Sequence, residues 1–236
     1  MDAPLKPASK AARWRRLRCG WRYEREARSQ GAQRIAGVDE VGRGALFGPV
    51  VAAAVIFDGE PRLRGIKDSK QLTAEEREAW EARIQETAHC WAIAACDAGR
   101  IELINIYQAS RQAMLDALRR LAAPPDWLLV DAVRLDWTGP QQAIVHGDAL
   151  SVTIAAASIL AKQHRDRLMR QWDKVYPQYG LFRNKGYATA EHIAALLRHG
   201  PSPQHRRSFL RELTAPQLFA AAEEKCIEGT PKKATN

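Results

Sequence analysis

The sequence predicts an α/β protein: a mixed five-stranded sheet flanked by helices, with a C-terminal helical extension. Three observations predict it. Strand-length apolar runs recur from residue 35 to residue 145, and stretches of helical period separate them. Carboxylates stand at the ends of several of those runs, as at Asp39 and Asp131. Strands and helices in this order pack as one sheet with helices on its faces.

The elements follow in order. Residues 35–39 (Ile-Ala-Gly-Val-Asp) form the first strand, closing on a carboxylate. After a glycine-rich turn, residues 49–57 are the second, apolar throughout and so expected to be buried on both faces. Thr73-Ala74-Glu75-Glu76 has capping-box spacing and opens a helix to about Thr87. Residues 91–96 are a third strand. Ile106, Ala109, Ala113, Ala117 and Leu121 recur at helical period, so a long amphipathic helix ends near Pro124-Pro125. Residues 127–131 are a fourth strand, again ending on a carboxylate. Ala143-Ile144-Val145, just before Gly147-Asp148, is the fifth.

From Ser151 an alanine-rich helix runs to about Asp173, and Ala155, Ala156, Ala157 and Ser158 are small enough to let it approach the sheet. Beyond Tyr176-Pro177 come a basic, aromatic loop and a helix near 189–198. The Gly200-Pro201-Ser202-Pro203 break and a last helix from about 214 follow. Before the sheet, residues 14–30 read as a short helix and the Pro/Ala/Lys-rich residues 1–12 as disordered. Residues 228–236 read as a frayed tail. The expected divisions are a basic N-terminal extension (1–32), a core (33–175), a C-terminal helical region (176–214) and a tail (215–236).

Composition excludes several classes. The chain has 236 residues, 46% of them hydrophobic and 27% charged, the proportions of an ordinary globular protein. It is not a chain disordered throughout, a collagen-like fibre or a disulfide miniprotein. No apolar run reaches the ~18 residues of a membrane span, and the charged N-terminus is followed by no apolar segment of a secretory signal. A soluble, cytoplasmic monomer without membrane contact is the expectation. Cys19, Cys90, Cys96 and Cys226 show no CxxC spacing, which argues against a zinc site or a disulfide framework. Cys90 and Cys96 fall in an apolar segment and are expected as reduced core residues.

The formal net charge is +9, but it is unevenly spread. Residues 1–34 carry ten Lys and Arg against three acids, while the other 202 residues carry 26 basic and 24 acidic side chains. The excess therefore lies in an N-terminal arm that includes Arg13, Arg15, Arg16, Arg18 and Arg22. Such an arm either binds phosphate backbones or is a solvated extension, and charge alone decides nothing.

Asp39 and Glu40 end one apolar strand, Asp131 ends another, and Asp148 lies between a third strand and a helix. A single aspartate of this kind is commonly a turn residue or a cap. Four at equivalent places in one sheet point further. Carboxylates about 4 Å apart repel by roughly 4 kcal/mol at an effective dielectric near 20, so a converging set calls for cations. Oxygen-only ligands select hard ions such as Mg²⁺ or Mn²⁺. Two such ions about 3.5–4 Å apart suit in-line phosphoryl displacement, which is nuclease chemistry.

The same residues lie in longer motifs. Gly37-Val38-Asp39-Glu40-Val41-Gly42-Arg43-Gly44, followed by Gly48-Pro49-Val50-Val51-Ala52-Ala53-Ala54, resembles the first signature of the bacterial type 2 ribonuclease H (RNase HII) family. Later blocks follow in the family's order. They are Asp68-Ser69-Lys70, Leu129-Val130-Asp131, Gly147-Asp148-Ala149, the alanine-rich run 154–162, Asn184-Lys185-Gly186-Tyr187, and residues 200–209 from Gly200-Pro201 to Ser208-Phe209. The resemblance covers roughly residues 21–212. It implies an RNase H-like core at 33–175 and a substrate-binding region at 176–214. By that resemblance Asp39, Glu40, Asp131 and Asp148 are the catalytic carboxylates and hold two divalent cations, Mn²⁺ or Mg²⁺. The Gly42, Arg43 and Gly44 backbone and Tyr187 recognise the ribonucleotide and its junction with DNA.

The implied activity is cleavage of RNA in RNA–DNA hybrids and of a lone ribonucleotide in duplex DNA, leaving 5′-phosphate and 3′-hydroxyl ends. The 2′-hydroxyl is the one local group separating RNA from DNA. Glycines permit close backbone approach to it, and a tyrosine ring can stack on a sugar or base. Taken alone, without the flanking blocks, Gly42-Arg43-Gly44 reads rather as a simple turn and Tyr187 as a surface aromatic. Lys185, Arg206 and Arg207 are candidate phosphate contacts or solvated surface charge. Ala45 stands where the family has proline, Phe47 where it has a small residue, and Ala132-Val133 where Gly-Asn is common; none removes a ligand.

Other readings fit less well. His164-Arg165-Asp166 copies a kinase tripeptide but has glutamine at 171 where asparagine is needed. Residues 37–48 lack the Gly-Lys-Ser/Thr of a nucleotide loop. His199 and His205 are candidates for a metal-free ribonuclease, but nothing in the sequence pairs them. A DNA nuclease on the same fold and a non-catalytic hybrid-binding protein are the alternatives from other classes.

Overall fold

The computed structural model describes residues 19–211 apart from 64, 67–68 and 70–71. The expected disordered start, most of the basic arm, Asp68, Lys70, Cys226, the helix from 214 and the tail lie outside the described residues. The chain divides into two compact units. The first takes the chain up to Val41, Val51–Ala94 and Arg111–Gln163; the second takes Gly42–Val50, Ala95–Ser110 and the chain from His164 onward.

Among the described residues five strands form one mixed sheet: β1 (Ile35–Val41), β2 (Val50–Ile56), β3 (Cys90–Cys96), β4 (Trp127–Asp131) and β5 (Gln141–Ile144), in the order β3-β2-β1-β4-β5. β1 runs antiparallel to β2 and parallel to β4, which runs parallel to β5. All seven residues of β2 are buried, as its unbroken apolar sequence predicts. β3 alternates instead, so Trp91 reaches solvent while Cys90 and Cys96 are buried and outside any disulfide. β5 begins two residues before the apolar triplet suggested and stops at Ile144. Val145 is exposed, and His146, at φ 61°, turns the chain out of the sheet.

In the first unit, α1 (Arg22–Ser29) packs Ala27 with Ile35, Leu129, Ile144 and Ile154. Full burial of a Leu or Ile side chain is worth roughly 1.5–3 kcal/mol. α2 (Ala74–Thr87) carries the expected capping box: Thr73 Oγ1 accepts from Glu76 N–H at 3.1 Å, and Glu76 Oε2 accepts from Thr73 N–H at 2.7 Å. α3 (Ala98–Arg119) is longer than the apolar period indicated, because two helices meet at Asn105, whose φ of 63° and ψ of 164° are not helical. Asn105 Oδ1 accepts from Gln108 N–H at 3.1 Å and so caps the second of them, the helix that the period starting at Ile106 predicts.

α4 (Val152–Val175) begins in the first unit. It approaches β1 so closely that a Cβ on Gly37 would stand 2.2 Å from the Thr153 carbonyl carbon. Its N-terminus is closed by Glu24 of α1. The buried carboxylate accepts from Ser151 Oγ at 2.7 Å, Thr153 N–H at 3.0 Å and Thr153 Oγ1 at 2.9 Å. Negative charge at a helix N-terminus is favourable.

The second unit is built on Leu46, Phe47, Met169, Tyr179, Leu181, Leu196 and Leu210. Phe47 is fully buried, with the rings of Trp172, Tyr176 and His205 edge-on around it. A small residue there would leave this aromatic nest empty. The stretch expected as a loop after Tyr176 contains a 3-10 turn (Pro177–Tyr179) and a four-residue α5 (Leu181–Asn184). α6 (Ala190–His199) is capped by Thr189, whose hydroxyl accepts from His192 N–H at 3.2 Å.

Candidate active site

The sheet register brings the first carboxylates together. Val38 of β1 pairs with Val130 of β4 in parallel, so Asp39 and Asp131 each stand one residue past that pair. The burial of β1 runs through Asp39, which is 5% exposed, and Glu40 is partly exposed. Asp39 Oδ1 accepts from the Glu40 N–H at 2.7 Å. On the far side of β4, Asp131 faces Ile144 of β5, after which the chain makes a 3-10 turn at Gly147–Ala149 carrying Asp148, 6% exposed. Gly147 N–H donates to Asp131 Oδ1 at 2.8 Å.

Electrostatics show the same convergence. Burial pushes the Asp39 carboxyl well above the ordinary range, and the charges of Glu40, Asp131 and Asp148 push it further; a hydrogen bond with Ser158 acts the other way. Asp148 also acts on Cys19, whose thiol is raised to about 12 by burial, Glu24 and Asp148. All four predicted carboxylates therefore lie within the first unit, near enough for the charges of the other three to act on Asp39.

The donor set is anionic oxygen throughout, which fits a hard divalent cation. Among the described residues no three His, Cys, Asp or Glu side chains already stand as a metal-holding group. Backbone amides hold an oxygen of Asp39 and one of Asp131. Ala132, where glycine is common in the resembling family, takes φ 54° immediately after Asp131.

The second unit holds the other candidates. Gly42 is buried at φ 93°, and a Cβ on it would lie 2.3 Å from Arg165 Nε, so glycine is required there by its own backbone and neighbour. Arg43 and Gly44 are exposed, and a Cβ on Gly44 would meet nothing within 4 Å. Tyr187 is half-buried, with the Arg165 guanidinium 5.4 Å from its ring centre. Lys185 Nζ donates to Phe182 O at 2.5 Å, and Arg207 is exposed.

Arg206 departs from both expectations for it, being fully buried rather than at the surface. Its Nε donates to Gly48 O at 3.0 Å and its Nη1 to Arg43 O at 2.8 Å. Burial, and then the neighbouring Arg165 charge, lower its pKa to about 9.

Several buried polar residues were missed in the sequence. Arg165 donates to Pro49 O, Phe47 O and Lys185 O at 3.1, 3.0 and 2.8 Å. It lies on the same stripe of α4 as Ser158, Ala161 and Met169, and a charge at a core-facing helical position was the available signal. His205, considered with His199, instead stands 3.1 Å from His192, nitrogen to nitrogen. Glu24 left no signal, since its partners lie more than a hundred residues away.

Residues 36–212 match the family model described as Ribonuclease HII. The ribonuclease HII of Koribacter versatilis is 52% identical over 221 residues, covering 94% of this chain and 85% of that protein. The crystal structure of ribonuclease H2 from Pyrococcus horikoshii OT3 aligns with a TM-score of 0.66 at 25% identity, covering 81% of this chain and 98% of that one. Bst-RNase HIII, solved in complex with Mn²⁺, shares the fold with a TM-score of 0.56 at 22% identity, covering 85% and 69% of the two chains.

Proposed function

The chain belongs to the ribonuclease HII family, and from that premise we propose that it hydrolyses the RNA strand of RNA–DNA hybrids and single ribonucleotides embedded in duplex DNA. The cut falls on the 5′ side of the ribonucleotide and leaves 5′-phosphate and 3′-hydroxyl ends. The observation that carries this reading is the sheet register that sets Asp39 of β1 beside Asp131 of β4, with the turn that bears Asp148 hydrogen-bonded to Asp131 through Gly147 N–H. Acidic side chains brought near one another against their own repulsion support a cation at this place.

Asp39, Glu40, Asp131 and Asp148 would hold two divalent cations, Mn²⁺ or Mg²⁺. Such ions supply water activation and charge neutralisation at the leaving oxygen. Asp39 and Asp148 orient the attacking water at the phosphate, and Glu40 and Asp131 complete the donor set. In the second unit the exposed Arg43-Gly44 backbone, held by Gly42, meets the ribose, whose 2′-hydroxyl both donates and accepts. The half-buried Tyr187 presents its ring to the sugar at the junction with DNA. Lys185 and Arg207 contact phosphates, which position a duplex without reading its sequence. The core at 33–175 carries the chemistry and residues 176–214 bind the substrate.

Among the described residues no helix is long and apolar enough to cross a membrane. The proposed setting is a cytoplasmic monomer that removes ribonucleotides from DNA during replication and repair.

The test is cleavage of one duplex carrying a single ribonucleotide, beside an all-DNA duplex and a continuous hybrid, across Mg²⁺ and Mn²⁺ titrations. Cutting 5′ to the ribonucleotide, with no cutting of all-DNA, is the expected result. Equal cleavage of all-DNA overturns the substrate assignment, and tight binding without product overturns the catalytic one.

A further inference from the structure

In the second unit a buried chain of hydrogen bonds ends on Tyr187. Ser202 N–H donates to His205 Nδ1 at 2.9 Å, with Ser202 Oγ at the same distance. His205 Nδ1 is therefore an acceptor and its proton sits on Nε2. His192 Nδ1 lies 2.9 Å from Tyr187 O, and a carbonyl only accepts, so His192 carries its proton on Nδ1 and a lone pair on Nε2. The two Nε2 atoms are 3.1 Å apart, one protonated and one not. Every link runs the same way: Ser202 to His205, His205 to His192, His192 to the Tyr187 carbonyl. Both imidazoles are neutral in this arrangement and both are buried.

The neighbouring residues are bonded to the Gly42-Arg43-Gly44 turn and the loop that follows it. Arg206 N–H donates to Leu46 O at 2.8 Å, and Gly48 N–H donates to Gln204 O at 2.9 Å. The Arg206 guanidinium spans two carbonyls, Arg43 O and Gly48 O. An apolar side chain would fill the same space without the cost of burying a charge. What the guanidinium adds is direction, because a planar fork fixes both carbonyls at a set angle.

We propose that residues 202–206 are a positioning segment for ribonucleotide recognition, holding Tyr187 through the His205–His192 pair and the Gly42-Arg43-Gly44 turn through Arg206. This rests on the assignment of Tyr187 and that turn to substrate binding. The segment touches no substrate; it sets the spacing of the two elements that do.

The test uses the full-length chain, a duplex with one ribonucleotide, and separate KM and kcat. His205→Asn keeps an acceptor at the Nδ1 position and removes the donor to His192, whereas His205→Gln keeps that donor. H205N is expected to raise KM about tenfold with kcat within about twofold, the scale of a small misplacement, and H205Q to restore most of the loss. In a Tyr187→Ala background H205N adds no further rise. Arg206→Lys, which keeps the charge and loses the fork, raises KM to a similar degree.

A merely structural role lowers the active fraction, hence kcat, and leaves KM alone; that result overturns the proposal. So does a KM rise from H205N that persists in full beside Y187A. If circular dichroism shows H205N unfolded, His192→Gln takes its place, since it keeps the bond to His205 and removes the donor to Tyr187. The same outcomes then apply. If Y187A by itself changes neither KM nor the preference over all-DNA, the assignment of Tyr187 falls and the proposal with it. If Y187A raises KM and neither histidine variant does, the proposal alone falls.

Discussion

Gly147 donates its backbone N–H to Asp131 Oδ1 at 2.8 Å, so the residue before one carboxylate fixes the orientation of another. Two stretches of chain sixteen residues apart are thereby locked at the end of β4. A Cβ on Gly147 would stand 2.6 Å from Ile154 Cδ1 and 3.3 Å from Asp131 Oδ1. Gly147→Ala is expected to move the turn, lowering kcat/KM by tenfold or more, on the order of the cost of a small displacement of reacting groups. Steady-state kinetics at saturating Mn²⁺ measures this, and an unchanged kcat/KM shows that the turn tolerates the shift.

Ala132 sits at φ 54° directly after Asp131. A left-handed conformation costs a residue with a Cβ roughly 1–2 kcal/mol, and glycine gives back part of that through the unfolded chain. Ala132→Gly is accordingly expected to stabilise the protein by up to about 1 kcal/mol. Urea unfolding gives the answer; a loss of stability means that the methyl group packs more than the backbone strains.

Glu24 closes the N-terminus of α4 from another helix, with three hydrogen bonds to Ser151 and Thr153. Removing it leaves buried donors without their acceptor. Glu24→Ala should therefore cost about 1–3 kcal/mol while the folded fraction keeps its KM for substrate. Chemical denaturation and kinetics below the melting transition separate the two effects.

His205 has its pKa lowered from the usual value of 6.5 to about 3, by burial first and then by His192. His192 is lowered too, chiefly by burial. The groups facing His205 are the rings of Phe47, Tyr179 and His192 and the Ser202 amide and hydroxyl. With the folded pKa below the unfolded one, the unfolded chain takes up the proton first. The contribution of the pair to stability is thus complete above about pH 6.5 and is lost as pH falls toward 3. Urea midpoints from pH 8 down to pH 4 should fall more steeply for the wild type than for His205→Phe. Parallel curves would show that the pair does not titrate on unfolding.

Much of this was legible in the sequence for local reasons. The unbroken apolar run of β2, the Thr73–Glu76 capping box and the carboxylate closing β4 are short-range signals, and each corresponds to the observed element; β1, expected to close on Asp39, runs two residues further to Val41, because Asp39, Glu40 and Val41 stay paired with β2. The convergence of Asp148 on the same cluster follows once β5 and α4 are placed on either side of it. What the sequence hid depends on partners far along the chain. Arg165 and Arg206 look like surface charge until the carbonyls of Phe47, Gly48 and Pro49 are brought beside them to accept their hydrogen bonds. The break at Asn105 escaped because apolar periodicity runs on through a kink. β5 was misplaced because its only strong apolar signal lies at its end, while Val145 is already outside the sheet.

The central claim is that Asp39, Glu40, Asp131 and Asp148 are held together against their own repulsion as a cation site. Thermal unfolding of the wild type and of Asp148→Asn, with and without Mn²⁺, tests it most directly when read beside cleavage of the single-ribonucleotide duplex. In metal-free buffer the variant should melt at or above the wild-type temperature, because one repelling charge is gone. It should gain less from Mn²⁺ and turn over no substrate. A variant that melts several degrees below wild type in metal-free buffer, or that keeps both its Mn²⁺ response and its turnover, contradicts the account.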